Sequence, residues 1–268
     1  MKALGTPITL EDLQTYSPAR KVPIYLEHEF GKIYNVPPPT QGLVSLSILG
    51  ILDHLKINGE HEGKFVHAAV EATKQAFLLR DNYITDPNHM KEDAQSLIRK
   101  QNIFKMANNV NIDRASTPVK GKGPGDTVWL GVMDNKGYSV SYIQSIYHIF
   151  GSGVFLPKTG ILWQNRAVSF SLNKDHILYI TPGKKPFHTL NPAAAKLSDG
   201  RVIVYGTRGG DGQSQTQTAI FHRKGGHKIK LLEPFSETMG HAGALVRHAN
   251  GMMEGAFDPR SDGSAAGF

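Results

Sequence analysis

Cysteine is absent from all 268 residues. That absence excludes disulfide scaffolds, thiol nucleophiles and Cys-ligated zinc together. Long apolar runs are missing too: no stretch approaches the roughly 20 apolar residues of a membrane span, so no membrane partner is expected. Charge is sparse, at 20% of residues, while hydrophobic residues make up 40%. That balance excludes an intrinsically disordered chain. There is no Gly-x-Ser-x-Gly elbow, no P-loop and no Gly-x-Gly-x-x-Gly fingerprint. Met1-Lys2 is followed by Ala3-Leu4-Gly5-Thr6-Pro7 without an apolar core, which predicts no signal peptide and leans toward a cytoplasmic chain.

The chain is long enough to bury one large core or two modest ones. Thirty Lys and Arg face 23 Asp and Glu, a net charge of +7. The excess is scattered. Its densest runs, Lys120/Lys122 and Arg223/Lys224/His227/Lys228/Lys230, carry no interleaved aromatics and read as solvated surface, not as a nucleic-acid interface. Glu27-His28-Glu29 and Glu60-His61-Glu62 look metal-like, but alternate residues of a strand point to opposite faces and no second cluster stands at ligand spacing. No metal site and no cofactor are predicted.

Periodicity divides the chain. Thr9 with Asp12 three residues on predicts a capped helix start. Short extended pieces are expected between Val22 and Val36. From Gly42, the residues Leu43, Leu46, Leu49, Leu52 and Leu55 form one helical stripe. A second helix is expected from Lys64 to Arg80 with Phe65, Ala69, Ala72, Ala76 and Leu79 inward, and a third from Lys91 to Ile103. Within the segment Asn108 to Gly125, Thr117 to Gly125 has Pro or Gly at nearly every other place and no apolar period, and it predicts an exposed, mobile linker. Beyond it the period becomes strand-like. Val128 to Met133 and Tyr138 to Tyr147 flank the turn Asp134-Asn135-Lys136-Gly137, a hairpin signal. Further strands are expected at Ile161–Trp163, Ile177–Ile180 and Arg201–Tyr205, and Gln213 to Phe221 reads as a possible helix opening. Helices first and strands after suggest an α+β fold.

Three features bear on chemistry. Thr127 follows Gly125-Asp126 at the junction of linker and first strand. A threonine there is either a simple β-former or a hydroxyl that attacks the Asp126 carbonyl, gives an ester, and is freed by hydrolysis as a new N-terminus whose α-amine is its own base. With a reference pKa near 7.7–8.0, that amine is partly unprotonated around neutrality. Thr207-Arg208-Gly209-Gly210-Asp211-Gly212 follows a strand, either as an ordinary turn or as a run of backbone N–H groups that cradles an oxyanion. Pro186-Phe187-His188-Thr189-Leu190-Asn191-Pro192 is either a rigid structural turn or a presentation loop for substrate-binding groups.

Together with Val36-Pro37-Pro38-Pro39-Thr40-Gln41-Gly42, Arg80-Asp81-Asn82-Tyr83, Gln144-Ser145-Ile146-Tyr147, Phe150-Gly151-Ser152-Gly153, Trp163-Gln164-Asn165-Arg166 and Asp258-Pro259-Arg260-Ser261-Asp262-Gly263, these stretches resemble the γ-glutamyltranspeptidase family of N-terminal-nucleophile hydrolases, in its acylase-like branch. The resemblance implies an αββα sandwich, incomplete in this chain, built as a self-cleaving precursor. Residues 1–126 would close the large subunit and residues 127–268 form the small one, with the two pieces remaining associated. Thr127 would be the nucleophile, released after Asp126. Ser145 aligns with the hydroxyl residue that bonds it, and Gly209 and Gly210 with the oxyanion glycines. Tyr147, Arg166, His188 and Thr189 occupy substrate-contact positions. The departures are Tyr147 for Asn, Arg166 for Gln, and Ser169 for the Asp that grips the glutamyl amine. They shift the expectation from glutathione-type substrates to another acyl amide, with Arg166 either gripping an acidic acyl tail or forming a structural ion pair. The family precursor starts well upstream of Met1, so a missing N-terminal half is expected as a partner. Two readings follow: an autoprocessing amidohydrolase or acyltransferase, or a non-catalytic remnant that needs its other half.

Overall fold

The computed structural model describes residues 5–57, 62–117, 126–208, 233, 236 and 240–268. A short helix α1 (Leu10–Thr15) opens it, with Thr9 and Asp12 closing a reciprocal capping box as the Thr-x-x-Asp spacing requires. Strands β1 (Ile24–His28) and β2 (Gly31–Asn35) form a hairpin. Then come helices α2 (Gly42–Leu55), α3 (Glu62–Tyr83), α4 (Ala94–Leu97) and α5 (Lys100–Asn108). The later strands are β3 (Asp126–Met133), β4 (Ser139–Tyr147), β5 (Phe155–Leu156), β6 (Ile161–Leu162), β7 (Ala193–Leu197), β8 (Val202–Arg208), β9 (His241–Arg247) and β10 (Met253–Phe257).

The main sheet has six antiparallel strands in the order β1-β2-β7-β8-β9-β10. It joins β1 and β2, from before Thr127, to four strands from after it, so the predicted cleavage point divides the chain and not the sheet. In antiparallel pairs, opposed residues share a face. Leu26, Ile33, Ala195 and Ile203 therefore stand on one face, where Leu43, Leu46 and Ile51 of α2, Ala72 and Ala76 of α3, and Ile103 of α5 complete the core. The opposite face carries Gly206 and Gly243, paired in register. There Trp129 of the β3–β4 hairpin lies against the sheet: a Cβ on Gly206 would fall 2.1 Å from the Trp129 Cδ1, and one on Gly243 2.5 Å from its Cζ3. The Trp129 Nε1–H donates to Ser141 Oγ at 3.0 Å, and the Ser141 hydroxyl to the Tyr205 carbonyl at 3.3 Å. The layers thus run helix, sheet, hairpin, in keeping with the α+β reading and with the sandwich that the resemblance implied.

Several expectations need correction. The third helix is two helices, α4 and α5, separated at Ile98 and Arg99. Asp93 caps the first, and the buried Ile98 turns the chain so that Leu97 and Ile103 reach one core. Phe65, expected inward, is exposed, whereas the alanines of its helix are sealed. Ile177–Ile180 is no strand; it makes only an isolated bridge from Tyr179 to Ser171. The apolar run 128–133 is covered on one face alone. Trp129 is buried, while Val128, Leu130 and Val132, with Val140 and Tyr142 of β4, stand exposed on the outer face. β7, β9 and β10 had no usable signal, because Ala and Gly fill them. Residues 118–125 of the expected linker and all of Gln213 to Phe221 lie outside the described residues.

Candidate active site

Thr127 is the second residue of β3 and is half-buried. Asp126 pairs with Tyr147 and Val128 with Gln144, so two residues of β4, Ser145 and Ile146, oppose the single Thr127. An extra residue on one strand bends it and re-aims neighbouring side chains. The bend shows at Tyr147, whose φ of +81° is unusual for a residue with a Cβ. Its backbone N–H donates to Ser145 Oγ at 2.9 Å, which fixes that hydroxyl across the bulge from Thr127. Thr127, Gln144 and Ser145 line one shared cleft. The resemblance implied a pairing of Thr127 with Ser145, and the bulge sets the two opposite one another in the hairpin register.

Thr127 also lines a second cavity of about 910 Å³. Its floor is apolar, with Val44 and Ile48 of α2, Phe77 of α3, Ile143 of β4 and Ile203 of β8. Thr189, Asn191, Tyr205, Thr207 and Gln41 supply polar groups. Burial pushes the Tyr205 hydroxyl up to about 12, so it remains a protonated donor. β8 ends at Arg208. Gly209 and Gly210, the expected oxyanion glycines, lie outside the described residues.

The loop 186–192 is held at its start and at its middle. The buried Asp86 carboxylate accepts the Lys185 backbone N–H at 2.7 Å and the Asn88 N–H at 3.1 Å. The His188 N–H donates to the Pro39 carbonyl, and the Gln41 N–H to the His188 carbonyl, both at 3.1 Å. Phe187 inserts into the core. Asp86→Ala leaves the Lys185 N–H without its acceptor, and a loss of about 1–3 kcal/mol is expected from urea unfolding. The loop that carries His188 and Thr189 should exchange its amides faster in that variant.

Arg166 opens a 3-10 turn, Arg166–Ser169, and is buried. Its backbone N–H bonds to Gln164 Oε1. The guanidinium carbon stands 4.8 Å from the centre of the Tyr147 ring, and burial holds its pKa below the ordinary value, with the Tyr147 hydroxyl opposing. None of Nε, Nη1 and Nη2 has a hydrogen-bond partner among the described residues. His188 is near enough to feel this cation. Burial, and secondarily the Arg166 charge, push its pKa down to about 4. Unfolded, the same imidazole titrates near the ordinary histidine value of 6.5. Above that value both states are neutral and His188 adds no pH dependence. As pH falls toward 4 the unfolded chain alone takes the proton, so folded stability drops, by at most about 3 kcal/mol. Urea unfolding at pH 7, 5.5 and 4.5 should show this fall, and a smaller one in His188→Gln.

Gln41 and Asn191 were not singled out from the sequence. Gln41 Oε1 is buried without a partner among the described residues, and the Pro37-Pro38-Pro39 run that fixes its approach was the available signal. Among the described residues no three His, Asp or Glu side chains converge as a metal site. Glu27 pairs with Lys32, and Glu29 with Lys56.

A threonine at the head of an inner strand of a helix-covered, two-sheet assembly defines the class of N-terminal-nucleophile folds. The gamma-glutamyltranspeptidase family model matches residues 1–224, and the chain belongs to that family. It is 50% identical, over its whole length, to the oxamate amidohydrolase proenzyme of Klebsiella pneumoniae subsp. pneumoniae, and spans 59% of that protein. It is 31% identical to a glutathione hydrolase-like proenzyme of Bacillus subtilis, with 98% of this chain and 59% of the relative aligned. Among solved structures, cephalosporin acylase from Bacillus halodurans superposes with a TM-score of 0.87 at 28% identity, over 99% of this chain and 56% of the acylase. The chain thus spans somewhat over half the length of these relatives.

Proposed function

We propose that the chain is an autoprocessing amidohydrolase that hydrolyses, or transfers, the acyl group of a γ-glutamyl or related amide through an acyl-enzyme on Thr127. The observation that carries this reading is the β4 bulge, which sets Ser145 opposite Thr127, a residue that also lines a cavity large enough for a small substrate. In the first step Thr127 Oγ attacks the Asp126 carbonyl carbon and the peptide nitrogen leaves as the Thr127 α-amine. Water then hydrolyses the ester, giving the Asp126 carboxylate. In turnover the free α-amine takes the hydroxyl proton as Oγ attacks the substrate carbonyl and gives it to the departing amine; water or an acceptor amine then releases the acyl group. Thr207 of β8 lines the same cavity as Thr127, and the N–H groups of Gly209 and Gly210, two and three residues further on in the sequence, are the proposed oxyanion donors.

Within this reading the substrate is a small amide such as oxamate, and not glutathione. Support comes from the 50% identical relative named for oxamate, and from Ser169 standing where a carboxylate would grip an α-ammonium. The test is ammonia release from oxamate beside p-nitroaniline release from γ-glutamyl-p-nitroanilide. Oxamate turnover at a rate at least tenfold higher is expected, and the reverse order would refute the substrate choice. The exposed apolar face of Val128, Leu130, Val132, Val140 and Tyr142 favours a second reading, in which a further polypeptide must cover the hairpin before the site works. Activity that appears only on adding such a polypeptide would establish it.

A further inference from the structure

We infer that Arg166, stacked on Tyr147 and flanked by His188, is the anchor for a carboxylate on the acyl side of the substrate, so that the amides accepted carry an acidic acyl group and no ammonium. This rests on the reading of Thr127 as the nucleophile, because it names what that nucleophile acts on.

A guanidinium has five N–H donors and no acceptor, and it stays charged at any pH a protein meets. Arg166 is 7% exposed, and all three of its side-chain nitrogens lack an acceptor among the described residues. Buried charges are ordinarily paired, because desolvation otherwise opposes folding. Nothing described around this one supplies a negative charge. Tyr147 offers a ring face, at 4.8 Å. Ser169, in the same 3-10 turn, is buried and neutral. His188 contributes no anion either, and its sealed Nδ1 is itself without a partner among the described residues. Burial and the Arg166 charge hold that ring neutral, so it can donate at most one N–H. Two adjacent groups with unused hydrogen-bonding capacity and a net positive charge make a receptor for a planar anion, and a carboxylate matches the guanidinium fork bidentately.

Position ties this receptor to the reacting bond. Tyr147, whose ring Arg166 stacks on, is the cross-strand partner of Asp126, the residue before Thr127. Thr189, one residue beyond His188, lines the cavity that Thr127 lines. On this proposal the acyl group spans the gap between a carboxylate held by Arg166 and the carbonyl at Thr127. An α-ammonium placed there would meet like charge from Arg166 and find no carboxylate among these side chains to receive it.

The test uses the 268-residue chain carrying Thr127→Ala, so that binding is read without turnover and independently of whether Thr127 is the nucleophile. Calorimetric titration compares oxamate with oxamide, its neutral isostere. Oxamate should bind at least tenfold more tightly than oxamide. Adding Arg166→Gln should lower oxamate to the oxamide level, and Arg166→Lys should restore part of the difference. On oxamate binding, the His188 imidazole resonances should titrate at higher pH, as expected when a negative charge neutralises the neighbouring cation. Equal binding of oxamate and oxamide would overturn the proposal without any Arg166 variant, and so would an Arg166→Gln protein that keeps the preference. A wild-type chain that neither cleaves itself nor turns over, while Thr127→Ala still discriminates oxamate from oxamide, would refute the nucleophile and leave the anchor standing.

Discussion

Thr127→Ala is expected to abolish both backbone cleavage and turnover, with activity falling by roughly 10⁴-fold or more. The reason is chemical. Alanine has no Oγ to attack the Asp126 carbonyl, so the α-amine that serves as base is never released. Thr127→Ser keeps the hydroxyl and should still cleave, more slowly, because serine lacks the methyl group that restricts χ1 of threonine on a strand. The fold should survive both changes: Thr127 is only half-buried and sits at a bulge, where the hairpin register is already interrupted. The check is to measure product release and cleavage together in the three proteins. Turnover in Thr127→Ala would remove Thr127 from the chemistry.

Trp129→Ala is expected to cost about 3–5 kcal/mol, the usual range for emptying a large aromatic site. Trp129 is the contact that seats the β3–β4 hairpin on the six-stranded sheet. Its indole fills the trough left by Gly206 and Gly243 and is tied to β8 through Ser141 and the Tyr205 carbonyl. Removing it opens a cavity between the two sheets and frees the strand that carries Thr127. The complementary change, Gly206→Ala, forces a methyl against the same ring and should cost about 1–3 kcal/mol by overpacking. Denaturant midpoints report both. Each should fall while the denaturant slope stays near that of wild type, and an unaltered midpoint in Trp129→Ala would mean that the hairpin is held by something else. Because Trp129 lies two residues from Thr127, cleavage should slow in these variants even where the fold persists.

The helical half was legible because its cues are local. Thr9 and Asp12 announce a cap, and leucines three apart announce α2. The hairpin was legible from its Asp134–Gly137 turn between two apolar runs. The rest of the main sheet was not, because β7 is a run of alanines and β9 and β10 are rich in glycine and alanine. Those small residues are explained by what packs on them. Gly206 and Gly243 clear space for an indole some 77 to 114 residues away in the chain, a long-range demand that no local period records. The same holds for the site. Thr127 stood out by its junction, and the family resemblance supplied Ser145, yet the bulge that sets them face to face depends on strand register. Gln41 acquires its place only when the loop 186–192 folds over the segment after Pro39. Arg166 was open to two readings, an ion pair or an acid anchor. The structure places no acceptor on its guanidinium among the described residues, and that observation tilts the balance toward the anchor.

The intact mass of the purified chain after incubation near neutral pH tests the central claim most directly. The account predicts two polypeptides, residues 1–126 and 127–268, with a free N-terminal threonine on the second and a single uncut chain in Thr127→Ala. A folded wild-type chain that stays whole, or one cut at any other bond, would contradict it.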